Sequence, residues 1–257
     1  MKQRDSSAQG RFGERALDYA RYRPQYPPGL IHLLTERCKL GESSSVADVG
    51  SGTGIFSRLL LETGAKVFAV EPNSPMRCTA ELELAPRGNF VSVNGSAERT
   101  GLADESVSLV CCGQAFHWFD PVSTRVEFRR ILINSGLCAI FWNFFSPQSA
   151  FVEDYVKIEA KFGLDYLEVC EKRTAAVAAI PAFYGGTRWQ KHTFSNFQRL
   201  DFSELYGRTA SASYMPVQDD PAHGPMTEAL QVLFEQHEQG GTVRLDYDCV
   251  LYLGRFD

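Results

Sequence analysis

Apolar and polar residues follow two different periods along the first 145 residues of the chain. Short, almost continuously apolar runs predict strands that are buried on both faces, and stretches with helical periodicity separate them. The predicted strands are Ser45–Val49, Lys66–Val70, Phe90–Val93, Val107–Cys112 and Gly136–Phe141. The predicted helices between them are Thr53–Glu62, Ser74–Leu84 and Ser123–Leu132. Such alternation predicts right-handed crossovers and a parallel sheet with helices on both faces.

The segment before the first strand is polar at its start and then helical. Residues 1–10 are polar, and we expect them to be disordered. A first helix over Gly13–Tyr22 ends before Pro24, and a second begins at Pro27 and Pro28, since proline suits the opening turn of a helix. These helices predict a cap over the sheet.

The periodicity is weaker after Phe145. Phe151–Phe162 and Pro225–His237 are predicted helices, and Thr187–Phe197 is a predicted strand. Thr242–Leu251 places apolar residues on one face and Arg244, Asp246 and Asp248 on the other, which predicts a half-exposed, antiparallel last strand. With seven strands in all and no linker, we expect one α/β domain, 1–257, with an insertion in its C-terminal half.

Composition and charge narrow the possible partners. The chain has 257 residues and a net charge of −5, without a basic run, which argues against nucleic acid as the main partner. No segment has the form of a secretory signal or a membrane span, so we expect a cytoplasmic protein. The seven cysteines are scattered without Cys-x-x-Cys spacing, which favours reduced thiols over a metal site.

The most informative motif follows the first predicted strand. Gly50, Gly52 and Gly54 occupy alternate positions before a helix, where glycines let the backbone turn tightly against a ligand. A dinucleotide-binding turn would read Gly-x-Gly-x-x-Gly, but Ile55 stands at the last position. Asp48, two residues before the first glycine, would repel a pyrophosphate and suits a ligand that carries an ammonium or a sulfonium.

An acidic residue ends the next predicted strand at the spacing that nucleoside sites use. Glu71 lies 21 residues after Gly50, where a carboxylate accepts hydrogen bonds from ribose hydroxyls. Together, the glycine turn and Glu71 are a strong indication of a ribose-containing cofactor, and Asp48 favours one that carries a positive charge.

The chain resembles the class I S-adenosylmethionine-dependent methyltransferases of the methyltransferase-11 group, and more narrowly proteins similar to trans-aconitate methyltransferase. Besides the glycine turn, the resemblance rests on Tyr-Ala-Arg-Tyr-Arg-Pro-Gln-Tyr-Pro at Tyr19–Pro27 and Ala-Phe-His-Trp-Phe-Asp at Ala115–Asp120. It covers about the first 145 residues well. The segment Leu132–Gly136 departs from the Lys-Pro-Gly-Gly turn of relatives.

The resemblance implies a fold and a site. The fold would be a doubly wound, Rossmann-like sheet of seven strands, with residues 1–40 as cap or lid, 42–145 as cofactor-binding core and 146–257 as insertion and last two strands. S-adenosylmethionine would contact Tyr19, Arg23, Asp48, Gly50, Ser51, Gly52, Gly54, Glu71, Pro72, Met76, Ser96, Ala97, Glu98, Gln114 and Ala115. The acceptor, a small molecule, would contact Tyr22, Tyr26, His117, Trp118 and Tyr214.

Several alternatives remain open at this point. His117 is either a catalytic base or a structural residue bound to a carbonyl group, and the tyrosines form either a lid or a packing stripe. Arg173, Arg188 and Arg208 either select a carboxylated acceptor or lie on the surface. A carboxylate acceptor would need no base, whereas a hydroxyl or amine would benefit from one.

Other functions are also compatible with the glycine turn. A non-catalytic sensor of S-adenosylmethionine would use the same cofactor residues, but it would not need a second, closed pocket. A nicotinamide-dependent oxidoreductase is disfavoured by Asp48 and Ile55. The hypothesis of an enzyme predicts a protein that methylates a small molecule, with O-methylation of a carboxylate or hydroxyl favoured. We expect this enzyme to be a monomer or a homodimer.

Overall fold

Seven strands form one twisted sheet in the computed structural model, which describes residues 15–257. The strands are Ser45–Val49 (β1), Lys66–Val70 (β2), Phe90–Val93 (β3), Val107–Gly113 (β4), Leu132–Phe145 (β5), Trp189–Leu200 (β6) and Val243–Gly254 (β7). Their order across the sheet is β3-β2-β1-β4-β5-β7-β6. The first five strands pair in parallel, and β7 is antiparallel to both β5 and β6. The predicted Rossmann-like, mostly parallel sheet is therefore confirmed.

Nine α-helices are present among residues 15–257. They are Ala16–Tyr22 (α1), Pro28–Cys38 (α2), Ile55–Glu62 (α3), Ser74–Leu84 (α4), Pro121–Ile131 (α5), Ala150–Phe162 (α6), Tyr166–Tyr184 (α7), Phe202–Ala210 (α8) and His223–His237 (α9). A single turn of 3-10 helix, Phe116–Trp118, follows β4. The predicted disorder of residues 1–10 and the predicted helix start at Gly13 lie outside the described residues.

The helices cover both faces of the sheet, as the alternation of elements predicts. On one face, α5 and α7 pack through Phe128, Ile131 and Ile180 against strand residues that include Val110. On the other face, α2, α3 and α4 cover Leu109 and its neighbours. A third cluster joins α6, α8, α9 and the first half of β7 beside the sheet. None of the described helices is both long and apolar enough to cross a membrane.

The last strand differs from its prediction in one respect. Its first residues alternate between buried and partly exposed positions, but from Cys249 to Gly254 every residue is buried. The reason is that both faces of this half are covered, since Val250 and Tyr252 pack in the cluster on one face of the sheet and Cys249, Leu251 and Leu253 in that on the other. The half-exposed edge strand is β6, in which partly buried and exposed positions alternate.

Three elements in the second half were not predicted or have different bounds. Helix α7 has apolar residues around its whole circumference and carries Pro181 in its last turns, so no helical stripe stands out. Helix α8 is short and begins at a capping box formed by Asp201 and Glu204. Strand β5 already begins at Leu132, with an irregularity between the pairs Val107–Leu132 and Leu109–Leu137.

Candidate active site

The turn between β1 and α3 requires glycine at its alternate positions. Gly50, Gly52 and Gly54 have φ angles of 70°, 56° and 82°, in the left-handed region that side chains disfavour. A Cβ atom at Gly50 would lie 2.6 Å from the Cβ of Ala115, which belongs to the segment after β4. The turn therefore lies at the carboxyl ends of β1 and β4, where the strand order reverses and ligands bind in open α/β sheets.

Glu71 follows β2 and is held by backbone groups. Its Oε2 accepts a hydrogen bond from the backbone N–H of Gly52 at 2.9 Å, and its Oε1 accepts one from that of Asn73 at 2.8 Å. Burial raises the pKa of this carboxyl, and the two backbone donors act in the opposite direction. Each carboxylate oxygen can accept a further hydrogen bond, so the side chain can still bind two hydroxyl groups.

A cavity of about 100 Å³, here called the small cavity, lies in front of this turn. It brings together eight of the residues predicted to bind the cofactor: Tyr19, Gly50, Gly52, Glu71, Pro72, Met76, Gln114 and Ala115. Its remaining lining residues are Asn73, Gly113, Trp118 and Phe119. The side of Gly52 that would carry a Cβ is open, with the Sδ of Met76 at 3.9 Å from that position.

The other residues predicted to bind the cofactor do not line the small cavity. They are Arg23, Asp48, Ser51, Gly54, Ser96, Ala97 and Glu98. Asp48 is buried behind the turn, where the Oγ of Ser57 donates a hydrogen bond of 2.6 Å to its Oδ2. Burial raises the pKa of Asp48 to about 7. Glu98 accepts a hydrogen bond of 3.1 Å from the backbone N–H of Asp120, which leads into α5.

A second cavity of about 520 Å³, here called the large cavity, extends from the small one. Four of the five residues predicted to contact the acceptor line it, namely Tyr26, His117, Trp118 and Tyr214. Tyr22 does not line it, because its ring packs on Gly207 so closely that a Cβ there would lie 2.4 Å from the ring. Aromatic side chains of β5 and β7 complete the apolar part of the wall: Phe144, Phe145, Tyr247 and Tyr252.

Three residues line both cavities: Tyr19, Gln114 and Trp118. Gln114 directly follows β4 with a φ of 58°, and its Nε2 donates a hydrogen bond of 3.2 Å to the carbonyl group of Asn143. A non-glycine residue in this conformation is uncommon and is often found at functional sites. The two cavities therefore meet at a boundary that these three side chains define.

The cap is tied to the segment after α8 by hydrogen bonds. Arg15 donates to the carbonyl groups of Ala212 and Met215, and Arg23 donates to that of Ser211 at 3.3 Å. The guanidinium of Arg23 lies over the ring of Tyr19, 4.9 Å from its centroid. Helix α1 and the segment 211–215 therefore close the large cavity from one side together.

Cationic side chains outnumber anionic ones in the described lining of the large cavity. Arg23, Arg173, Lys191 and Arg208 face a single carboxylate, Glu159. Arg208 is buried and donates hydrogen bonds to Glu159, Tyr155 and Tyr247 over 3.1, 3.1 and 3.2 Å, which braces α6 against α8 and β7. Arg188 lies outside the cavity and pairs with Asp257.

His117 lines the large cavity in its neutral form. Burial lowers the pKa of this histidine well below its ordinary value, and the nearby cations Arg173 and Lys172 lower it further. Its Nδ1 accepts a hydrogen bond of 3.3 Å from the indole Nε1 of Trp142. Because indole N–H can only donate, Nδ1 is the unprotonated nitrogen and the proton of the neutral ring is on Nε2. The ring therefore offers the cavity a hydrogen-bond donor.

Sequence reasoning missed several polar residues of the large cavity, among them Glu159, Asn143 and Lys191. Glu159 occupies a position in the apolar stripe of α6, at helical spacing from the buried residues Val152 and Tyr155. A charged residue in such a stripe is a detectable signal, because buried carboxylates require a partner. Asn143 similarly interrupts the aromatic run of β5.

Comparisons with known proteins agree with the fold and with the position of the turn. Residues 47–140 match the model of a family described as a methyltransferase domain. An uncharacterised methyltransferase of Schizosaccharomyces pombe is 28% identical over 84% of this chain and 85% of its own length. Another uncharacterised methyltransferase, from Mycobacterium tuberculosis, is 33% identical over 59% of this chain and 60% of its own length.

A solved structure shares the whole architecture. A protein from Anaeromyxobacter dehalogenans, proposed to be a type II methyltransferase, superposes with a TM-score of 0.65 at 20% identity, over 91% of this chain and 98% of its own. At this identity the similarity concerns the fold alone. The matched family segment contains the glycine turn, Glu71 and Gln114, whereas most of the large cavity is built by residues outside it.

Proposed function

Because the chain belongs to the class I S-adenosylmethionine-dependent methyltransferases, we propose that it transfers a methyl group to a carboxylate of a small molecule held in the large cavity. The observation that carries this proposal is the charge of that cavity, where four cationic side chains face one carboxylate. That carboxylate is already paired with Arg208. The surplus of positive charge suits an anionic acceptor.

The residues around the small cavity fit the cofactor. S-adenosylmethionine supplies an electrophilic methyl group on a sulfonium. Glu71 would accept hydrogen bonds from the ribose hydroxyls, since both of its oxygens have remaining capacity. The glycine turn lets the ligand approach the backbone closely, while Pro72 and Met76 supply apolar contacts for a base. The buried carboxyl of Asp48 lies behind the turn. We propose that it acts on the cofactor through its electrostatic potential and not through direct contact.

A carboxylate acceptor also agrees with the protonation state of His117. Formation of a methyl ester from a carboxylate leaves no proton to remove, so no general base is required. The Nε2–H of His117 is a donor and suits an acceptor oxygen. The contribution of the protein would then be alignment of the reacting atoms at the boundary formed by Tyr19, Gln114 and Trp118, together with exclusion of water.

The presence of the large cavity favours an enzyme over a sensor. A sensor of the cofactor would need only the small cavity. Here a second, larger cavity adjoins it, lined in part by the buried pair Arg208–Glu159 and covered by α1 and the segment 211–215. We also propose that residues 1–257 act as one unit, with 1–40 as lid, 42–145 as cofactor-binding core and 146–257 supplying most of the acceptor site.

The first part of the test is calorimetric titration with S-adenosylhomocysteine. We expect binding that Glu71→Ala weakens by about tenfold or more, since hydrogen bonds to a charged group contribute about 1.5–3 kcal/mol. Glu62→Ala, an exposed glutamate at the end of α3, is the matched control and should bind normally. Absence of binding by folded protein would contradict the assignment of the small cavity.

The second part measures methyl transfer from labelled S-adenosylmethionine to a panel of small carboxylic acids. Arg173→Met should reduce kcat/KM for the acids by at least about tenfold, as removal of a charged hydrogen-bond donor predicts. Arg188→Met, which removes an arginine outside the cavity, should leave the rate unchanged. If the acids are not methylated while alcohols or amines are, the proposed acceptor class is wrong.

A further inference from the structure

The walls of the large cavity hold an unusual number of buried polar atoms without a hydrogen-bond partner. Among residues 15–257, seven side-chain atoms are in this condition, and four of them belong to residues that line this cavity. They are Nε of Arg23, Nδ2 of Asn143, Nε of Arg173 and Oε2 of Glu159. Buried polar atoms in proteins are nearly always paired, because an unpaired one is destabilising. Their concentration around one cavity therefore points to a ligand that supplies the missing partners.

Three of these atoms are donors. Arg23 lies beside Tyr19 at the boundary of the two cavities, and Arg173 lies on α7 near His117. A carboxylate offers two oxygens with several lone pairs, which matches donors that approach from different elements. These donors agree with the anionic acceptor of the proposed function.

The fourth atom requires the opposite kind of partner. Glu159 is completely buried, and its Oε1 accepts a hydrogen bond from Arg208. Its Oε2 can only accept from a ligand that carries a donor, as long as the carboxylate is ionised beside Arg208. A simple carboxylate has no such donor. A ligand that satisfies the whole cavity therefore has a second functional group.

The surrounding charge distinguishes between the two common donors, a hydroxyl and an ammonium. Arg208 already neutralises Glu159, and Arg23, Arg173 and Lys191 add positive charge to the same cavity. An ammonium group would be repelled by these cations and would gain no net attraction from the neutralised pair. A hydroxyl group donates without adding charge.

We propose that the methyl acceptor is a small hydroxycarboxylic acid, whose carboxylate accepts from Arg23 and Arg173 and whose hydroxyl donates to Oε2 of Glu159. This inference rests on the proposed function and makes it more specific. Glu159 thereby becomes a residue that determines specificity, although it lies outside the segment that matches the methyltransferase family model.

The test compares acids that differ only in the second group. One series is 3-phenylpropionate, 3-phenyllactate and phenylalanine, which suits the aromatic walls, and the other is succinate, malate and aspartate. For each acid, kcat/KM is measured with labelled S-adenosylmethionine, and binding to the S-adenosylhomocysteine complex is measured by calorimetry. We expect the hydroxy acid of at least one series to exceed both of its counterparts by about tenfold or more, as one buried hydrogen bond predicts.

Variants on a single helix then assign the preference to one residue. Glu159→Gln keeps the size of the side chain but removes the carboxylate oxygen, so the preference for the hydroxy acid should fall below about threefold. Glu153→Gln, an exposed glutamate two turns earlier on α6, should keep the preference of the wild type. If Glu159→Gln does not fold, the comparison of acids on the wild-type protein still decides the question.

The possible outcomes separate the two proposals. If the plain acids bind and react as well as the hydroxy acids, the role of Glu159 is refuted while the proposed function stands. If the amino acids are preferred, the group that donates to Glu159 is an ammonium and not a hydroxyl. If no acid of either series binds or is methylated, the proposed function fails and the present inference fails with it.

Discussion

The two cavities of this protein are built in different ways. The small cavity is shaped largely by backbone, since three glycines with positive φ form its turn and two backbone N–H groups hold Glu71. Most of its residues come from the segment between β1 and the 3-10 turn after β4. The large cavity is shaped by side chains from elements far apart in sequence, and its cover joins Arg15 to Met215, 200 residues later.

This difference explains which features of each cavity depend on the backbone and which depend on particular side chains. A site made from backbone geometry depends on few residue types, so many of the surrounding side chains can differ without loss of the turn. A site made from side chains depends on burial of specific charges, which must be stabilised by partners such as the pair Arg208–Glu159. Specificity for the acceptor and stability of the second half are therefore coupled, whereas the cofactor side is largely independent of both.

The largest expected effect tests this coupling. Arg208→Met removes one partner of a fully buried ion pair and leaves Glu159 uncompensated, so the free energy of unfolding should fall by about 3–5 kcal/mol. The double variant Arg208→Met/Glu159→Leu replaces the pair by apolar groups and should recover most of this loss. Denaturation by urea measures both, and calorimetry should show unchanged affinity for S-adenosylhomocysteine in the folded variants.

Arg244→Met provides the control for this experiment. Arg244 is exposed on β7, where it pairs with Asp246 and lies over the ring of Phe197, so its removal should change stability by about 1 kcal/mol or less. Should Arg208→Met cost no more than this surface variant, the pair would not be the element that stabilises the second half.

The second prediction concerns the glycine turn of the small cavity. Gly50→Ala introduces a Cβ that would lie 2.6 Å from the Cβ of Ala115, at a φ of 70°. Because the turn must shift, we expect affinity for S-adenosylhomocysteine to fall by about 100-fold, roughly 3 kcal/mol at 1.4 kcal/mol for each factor of ten. Calorimetric titration measures the change, and the ion pair Arg208–Glu159 is unaffected by this variant.

Gly88→Ala is the matched control, because Gly88 has no heavy atom within 4 Å of its would-be Cβ. Its affinity should equal that of the wild type. Normal binding by Gly50→Ala would mean that the turn adapts at little cost, and the contrast between a rigid backbone site and an adjustable side-chain site would disappear.

The same contrast determines how much of the molecule could be predicted from its sequence. The turn, Glu71 and the strands that carry them are local in sequence, so spacing and periodicity were sufficient for Gly50, Gly52 and Glu71, and the family resemblance supplied the other five predicted residues of the small cavity. Glu159, Asn143 and helix α7 depend on packing between distant elements, and the helical pattern of α7 is hidden because it contacts the sheet, the cavity and solvent at once. Asp48 shows the converse, since its spacing suggested contact with the ligand while the structure turns it towards Ser57.

The smallest expected effect concerns His117, which lies on the acceptor side of the boundary. Its folded-state pKa is lowered from 6.5 by burial and by Arg173 and Lys172, so below about pH 6.5 the unfolded chain binds a proton that the folded chain does not. This contribution to stability is therefore complete above pH 6.5 and is lost as the pH falls below it. His117→Asn should remove this pH dependence of the urea midpoint.

The same variant also tests the chemical role of His117. Asparagine can place an amide oxygen near the position of Nδ1, where it accepts from Trp142, but it has no group at the position of Nε2. Turnover of a carboxylic acid should then fall by about tenfold, because one donor to the charged acceptor is lost. Loss of a general base would lower it by about 100-fold to 10,000-fold.

His117→Gln leaves the indole N–H of Trp142 without its acceptor and should be less stable than His117→Asn by about 1–3 kcal/mol. A large loss of turnover in His117→Asn, with stability retained, would make His117 a base after all, and the acceptor would then be a group that must lose a proton.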